Sequence, residues 1–174
     1  GYNENSEVVS MFIQAGAKVN ARNTNGNSPL LVASYFNVNL EVTSILIQAG
    51  AEVNAENNNG WSSLMRAAGY NENPEVCAAL ITAGADVNTG NWTPLMSAVH
   101  NNSNPEVISA LIAAGADVNL GSSNSTPLKL ACSRQTSNLE IVTLLLQAGA
   151  DVNKVIVGDG STESKFVSSN ALIC

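Results

Sequence analysis

The chain of 174 residues is long enough for one domain with a sizeable core, and its 45% apolar content is ordinary for a folded protein. Seven basic against fourteen acidic residues give a net charge of −7, and no Lys/Arg cluster occurs, so we expect no nucleic-acid partner. The apolar runs are far shorter than the roughly 20 residues that cross a bilayer, and no signal-peptide pattern opens the chain, so we expect a soluble protein without membrane contact.

The chain opens on a predicted helix over residues 8–14, which Asn5 caps and Gly16 ends. The same pair predicts a second helix in every later unit, and a Glu two residues after each Asn lies in the first turn, where it favours the helix dipole. The five predicted caps are Asn5, Asn39, Asn73, Asn104 and Asn138.

Each stop glycine belongs to a recurring hexapeptide, Ala-Gly-Ala-x-Val-Asn. Its copies are separated by 34 residues, apart from one interval of 31, and begin at Ala15, Ala49, Ala83, Ala114 and Ala148. Self-similarity at this period indicates an array of supersecondary units, each too small to bury its own apolar face and stable only when stacked on its neighbours.

A first helix is predicted after each hexapeptide, beginning with a hydroxyl cap and a proline at the first helical position, as in Ser28-Pro29. The same start recurs at Thr93-Pro94 and Thr126-Pro127, and Ser62-Ser63 is a proline-free version. The Asn- and Gly-rich segment before it, 20–27 or 54–61, has the composition of turns and predicts a hairpin-like projection. This segment is shorter before Thr93 and Thr126, which accounts for the 31-residue interval.

These motifs resemble the ankyrin repeat, whose pattern runs Gly-x-Thr-Pro-Leu-His-x-Ala-Ala, then Leu-Glu-Val-Val-x-Leu-Leu, then Gly-Ala-Asp-Val-Asn. The matching segments are Gly-Asn-Ser-Pro-Leu at 26–30, Trp-Thr-Pro-Leu at 92–95, Ser-Thr-Pro-Leu at 125–128, Asn-Leu-Glu-Ile-Val at 138–142, and Gly-Ala-Asp-Val-Asn from 84, 115 and 149. The resemblance implies an all-α solenoid of stacked helix–turn–helix units with hairpin-like projections. It also implies a protein that binds other proteins and is not an enzyme.

One departure concerns the His of the family pattern, which is replaced by Leu31, Met65, Met96 and Lys129. The hydrogen bonds that this His would make between repeats are therefore absent or made differently. We expect a single domain over 1–174, with a partial repeat at 1–20, repeats at 21–54, 55–88, 89–119 and 120–153, and a partial repeat with a longer loop at 154–174. Both ends fall within a repeat, so we interpret the chain as a fragment of a longer array.

Aromatic side chains give the strongest indication of a binding site. Trp61 and Trp92 occupy the same position in adjacent repeats, at the base of the projection, and Tyr and Trp are enriched in binding hot spots. The alternative is that they pack between repeats. The full set of residues predicted to contact a partner is Arg22, Asn25, Tyr35, Phe36, Asn59, Trp61, Tyr70, Trp92, His100 and Arg134.

No catalytic, cofactor or metal site is predicted, because the single histidine, His100, has no neighbouring Cys or second His. Cys77, Cys132 and Cys174 are widely spaced and odd in number, so we expect small buried side chains rather than a disulfide framework.

The sequence therefore favours a protein–protein interaction scaffold that binds an unidentified partner through its concave face and projections. Two alternatives remain: a targeting module of a larger enzyme or secreted effector, and a structural protein that associates end to end into a fibre. The compartment is not fixed by the sequence. The cytoplasm is slightly favoured, and secretion is possible.

Overall fold

The computed structural model describes residues 5–36, 39–71, 73–102, 104–121, 125–133 and 139–153. In these ranges it contains nine α-helices and no β-strand, which confirms the predicted all-α class. The helices are α1 (Ser6–Gln14), α2 (Pro29–Phe36), α3 (Leu40–Gln48), α4 (Ser63–Tyr70), α5 (Pro74–Thr82), α6 (Pro94–Ser97), α7 (Pro105–Ala113), α8 (Pro127–Ser133) and α9 (Leu139–Gln147). A π-helical turn, Ala98–Asn102, continues α6. None of these helices has the length and apolar character needed to cross a bilayer.

The helices that follow α1 form four pairs, and corresponding helices of neighbouring pairs lie side by side. One layer, here called the first-helix layer, contains α2, α4, α6 with its π-helical turn, and α8. The other layer contains α1, α3, α5, α7 and α9. Both layers contribute fully buried leucines to one continuous core, for example Leu64 from α4 and Leu80 from α5. The repeats are therefore stabilised mainly by their neighbours.

The predicted caps form in the described part of the chain. The side-chain oxygen of Asn39 accepts a hydrogen bond from the backbone N–H of Glu41 at 3.0 Å, and Asn5, Asn73 and Asn104 make the same contact two residues ahead. The hydroxyls of residues 28, 62, 93 and 126 each accept from the N–H three residues later. Asn138 lies outside the described residues.

Each second helix ends at the glycine of the hexapeptide. These glycines have φ between 88° and 91°, a left-handed conformation that other residues adopt only with strain. The N–H that follows Gly16, on Ala17, bonds back to the carbonyl of Phe12 at 2.9 Å, which completes the helix end. The predicted stop signal is therefore confirmed.

The asparagine that closes the hexapeptide connects each repeat to the next. The Asn20 amide donates to the Gly50 carbonyl at 3.0 Å and accepts from the N–H of Glu52 at 2.9 Å. Asn54, Asn88 and Asn119 make the same two bonds one repeat further on each time. We call these four side chains the Asn ladder.

The first-helix layer has inter-repeat hydrogen bonds of its own, although the family's His is missing. The Ser97 hydroxyl donates to the Met65 carbonyl at 2.9 Å, and the Asn71 amide donates to the Ser34 carbonyl at 3.0 Å. The Asn102 amide bonds the carbonyls of Ala68 and Asn71 at 3.1 and 3.0 Å. The hydrogen bonds between repeats are therefore made differently rather than lost.

The segments between repeats form hairpin-like turns, as predicted. The Asn23 N–H donates to the Asn27 carbonyl at 3.1 Å, and the Asn57 N–H donates to the Trp61 carbonyl at 3.0 Å. The two turns are also joined, because the Asn57 amide donates to the Asn27 side chain at 2.7 Å.

The cysteines follow the sequence prediction only in part. Cys77 is a fully buried free thiol, and burial raises its pKa to about 12. Cys132 is disulfide-bonded, so the expectation of isolated buried thiols is wrong at this position. Cys174 lies outside the described residues.

The helix α1 stacks on α3 but is not paired with a first helix of its own unit among the described residues. A groove of about 630 Å³ lies between α1 and α2, lined by apolar side chains that include Phe12, Val32 and Phe36. The Phe12 side chain is 61% exposed as a result. This helix therefore gains less from burial than the second helices in the middle of the stack.

The Asn ladder should account for measurable stability. Because Asn54→Ala removes a donor and an acceptor that join two repeats, we expect it to lower the free energy of unfolding by about 1–3 kcal/mol. The matched control is Asn153→Ala, since the Asn153 side chain makes no such bond to a described residue. Urea unfolding of both variants checks this, and equal midpoints would contradict a structural role for the ladder.

Hydrogen exchange should show that the N-terminal end opens first. We expect the amides of residues 7–14 to exchange before those of residues 76–81, because α1 has one stacked neighbour and α5 has two. Equal protection in a monomer would contradict this argument. Equal protection in an oligomer would support end-to-end stacking instead.

Candidate functional site

Three aromatic rings surround the side chain of Arg66 on the first-helix layer. The guanidinium carbon lies 4.4 Å from the ring centre of Trp61, 5.0 Å from that of Tyr35 and 5.8 Å from that of Tyr70. The Tyr35 and Tyr70 rings are 4.8 Å apart, and those of Trp61 and Tyr70 are 6.3 Å apart. We call these four residues the Arg66 cluster.

The local sequence explains why these side chains meet. Arg66 and Tyr70 are four residues apart in α4, so they lie on the same face of the helix. Trp61 immediately precedes Ser62, which caps the same helix. Tyr35 comes from α2 of the preceding repeat, which packs beside α4. The cluster therefore exists only when two repeats are stacked.

Arg66 is half-buried, and its charged end lies among rings that accept no strong hydrogen bond. It forms no salt bridge or hydrogen bond with the residues that the structure describes. Contact of a cation with an aromatic ring is worth about 0.5–2 kcal/mol, so the three rings hold the guanidinium in place. The N–H bonds lie in the guanidinium plane, where they remain available to an acceptor.

Apolar surface continues from the cluster towards the groove beside α1. Phe36 is 43% exposed, and its ring packs edge-on against that of Tyr35 at 4.0 Å. Tyr70 is 39% exposed. The structure thus brings together four of the residues predicted for partner contact, Tyr35, Phe36, Trp61 and Tyr70, and adds Arg66, which the sequence analysis did not select.

Trp92 has a different environment from Trp61. It is half-buried and packs against the core, and its indole Nε1 is buried without a hydrogen-bond partner among the described residues. The residue that corresponds to Arg66 in this repeat is Ser97, whose hydroxyl bonds to the Met65 carbonyl. The Trp92 and His100 rings meet edge to face, with their centres 5.4 Å apart. The two tryptophans therefore lie in separate sites.

Three more of the predicted contact residues, Arg22, Asn25 and Asn59, lie on the projections. Arg22 donates to the Glu56 carbonyl at 2.6 Å and forms an exposed 3.5 Å ion pair with Glu52, so its guanidinium is already engaged by groups of this chain. Asn25 and Asn59 are exposed at the turns. Arg134 lies outside the described residues.

Charges are unevenly distributed between the two layers. The first helices and the π-helical turn contain no Asp or Glu, and they carry the cationic side chains of Arg66 and Lys129. The carboxylates described by the structure lie instead near the starts of the second helices and in the projections and turns. Within the described residues, no group of three or more His, Cys, Asp or Glu could hold a metal ion.

Comparison with known proteins adds one finding. The family model described as ankyrin repeats, three copies, matches residues 1–91 and again residues 70–156. No curated protein matches the chain.

The separate environments of the tryptophans predict different costs of truncation. We expect Trp92→Ala to destabilise the fold by about 3 kcal/mol, because it leaves a cavity against the core. Trp61→Ala should cost about 1 kcal/mol, since it removes mainly a cation–π contact. Thermal melts of both variants measure this. If Trp61→Ala melted as low as Trp92→Ala, Trp61 would belong to the core and not to a binding surface.

Proposed function

Because this chain belongs to the ankyrin-repeat family, we propose that it binds a partner protein through its first-helix layer, with the Arg66 cluster at the centre of the contact. Ankyrin repeats are generally protein–protein interaction modules. The observation that carries the proposal is a cluster of three aromatic rings and an arginine on the surface of a stack that is held together by other residues.

The composition of the cluster supports this role. Trp, Tyr and Arg are the residues most enriched in binding hot spots, because they offer a large contact area with few rotatable bonds and with polar edges. The exposed ring of Phe36 extends the apolar area. The exposed side chains of Asn25 and Asn59 on the projections would add polar contacts at the edge of the interface.

The alternative functions use the same structure in different ways. In a targeting module of a larger enzyme or secreted effector, the Arg66 cluster would select the protein to which the activity is delivered. In a fibre, the groove between α1 and α2 would be covered by another copy. The first alternative is compatible with the proposed binding face, and the second places the contact at the end of the stack.

Selection from a library of displayed peptides tests the proposal. Peptides recovered on the wild-type chain should bind Trp61→Ala about 30-fold more weakly, which is about 2 kcal/mol, the loss typical of a hot spot. The control is Thr82→Ala, an exposed position of α5 in the opposite layer, which should leave binding unchanged. Recovered peptides that bind both variants as tightly as wild type would refute a binding site at the Arg66 cluster.

A further inference from the structure

We propose that the Arg66 cluster is a carboxylate-binding site, which takes an Asp or Glu side chain of an acidic segment in the partner protein. This inference rests on the proposed function and specifies the chemistry of the partner. In the expected contact, the carboxylate oxygens accept hydrogen bonds from the guanidinium edge of Arg66. The rings of Trp61 and Tyr70 contact the apolar atoms next to the carboxylate.

Arg66 has hydrogen-bond donors without an acceptor among the described residues. The residue is half-buried and its guanidinium lies near three rings, so part of its hydration is replaced by groups that accept no strong hydrogen bond. It has no acidic partner among the described residues. A carboxylate with two oxygens matches the planar fork of an arginine and restores these hydrogen bonds.

The Arg66 side chain is already held in position by the neighbouring rings. The contacts to Tyr35, Trp61 and Tyr70 restrict a long side chain that would otherwise lose much conformational freedom on binding. A restricted guanidinium pays less of this entropic cost when a ligand arrives. The rings therefore contribute to affinity even where they do not touch the ligand.

A comparison with Arg22 supports this assignment. Arg22 is also partly exposed, yet its guanidinium is occupied by the Glu52 carboxylate of its own repeat and by the Glu56 carbonyl of the next repeat. Its position is explained by the stack. Arg66 lies in a helix that stacks through buried side chains and through hydrogen bonds of other residues, so its charge has no such explanation.

The charges of the first helices also favour an acidic ligand. The first helices carry Arg66 and Lys129 and no carboxylate, in a chain whose net charge is −7. An acidic partner segment would meet positive charge and aromatic rings on this layer, and like charge on the second-helix starts. This segregation favours docking of an acidic segment on one layer only. A nucleic acid would bring many phosphates to a chain with few cations and is disfavoured.

Matched peptides test the proposal. Peptides recovered on the wild-type chain are synthesised in two forms, as selected and with every Asp and Glu replaced by Asn and Gln. We expect the amide form to bind wild type at least tenfold more weakly, and the affinity of the acidic form to fall as salt is raised. Arg66→Met should bind both forms equally. Lys129→Met, which removes a charge from the same layer, should still distinguish them.

A second measurement covers the case in which no peptide is recovered. The Arg66 side-chain Nε–H resonance is followed by NMR while a 12-residue peptide of alternating Glu and Leu is added, with the Gln and Leu peptide as control. A shift with the Glu peptide alone supports the site. Absence of any shift, or equal shifts with both peptides, overturns it.

The outcomes separate the two proposals. Peptides that need Trp61 but bind equally in acidic and amide forms would leave the binding face in place and refute the carboxylate site. Failure of every recovered peptide to depend on Trp61 would refute the binding face itself. Tighter binding of a 12-nucleotide thymidine oligomer than of any acidic peptide, lost in Arg66→Met, would overturn the inference in favour of nucleic acid. Circular dichroism melts confirm that each variant is folded.

Discussion

The bidentate contact of one asparagine with the next repeat is the interaction on which this structure depends. Asn54 donates to the Gly84 carbonyl and accepts from the N–H of Asp86, so a single side chain satisfies two backbone groups of its neighbour. An Asp could not donate, and an apolar residue could do neither. The asparagine of one hexapeptide therefore recurs with the glycine of the next, because its side chain binds the glycine carbonyl and the N–H two residues after that glycine.

The acidic residue two positions before the asparagine also supports this contact. The Asp86 carboxylate accepts a hydrogen bond from the N–H of Asn88 at 2.9 Å, and Asp117 and Asp151 repeat this turn at 2.8 Å. In Asn88 and Asn119, this bond fixes the backbone of an asparagine that reaches the next repeat. The recurring carboxylates thus have a structural use, as hydrogen-bond acceptors in the turn. Glu52, in the same register, instead pairs with Arg22.

Because the ladder, the caps and the leucine core hold the stack, single positions of the first helices can differ between repeats in residue type and in burial. The position of Arg66 is occupied by Val32, Ser97 and Leu130 in the other units. Only Arg66 is accompanied by a tryptophan before the helix cap and by tyrosines at the ends of two adjacent helices. A periodic framework therefore presents one non-periodic surface, and such a surface is where a specific function is expected.

The sequence was sufficient for the framework, since caps, stop glycines and turn composition are local signals with a fixed physical meaning. It was insufficient for the site. Trp61 and Trp92 look equivalent in sequence, and they differ because the residue five positions later is an arginine in one repeat and a serine in the next. The contact of Arg66 with Tyr35 depends on how far apart two repeats lie, which no local pattern gives. The spacing of Arg66 from Tyr70 was the one signal that could have pointed to it.

The placement of charge also constrains how such a site can act. A net charge of −7 repels an acidic segment at long range, yet exposed charges further apart than about 8 Å are largely screened at physiological ionic strength. Repulsion therefore acts mainly on segments that approach the carboxylates at the second-helix starts and turns. A segment that approaches the first-helix layer at the Arg66 cluster meets the positive charge of Arg66 first. The rings around Arg66 exclude part of the solvent and so strengthen its interaction with an acceptor. The acidic surface elsewhere therefore disfavours binding of an acidic segment at other positions, so that binding is favoured at the Arg66 cluster.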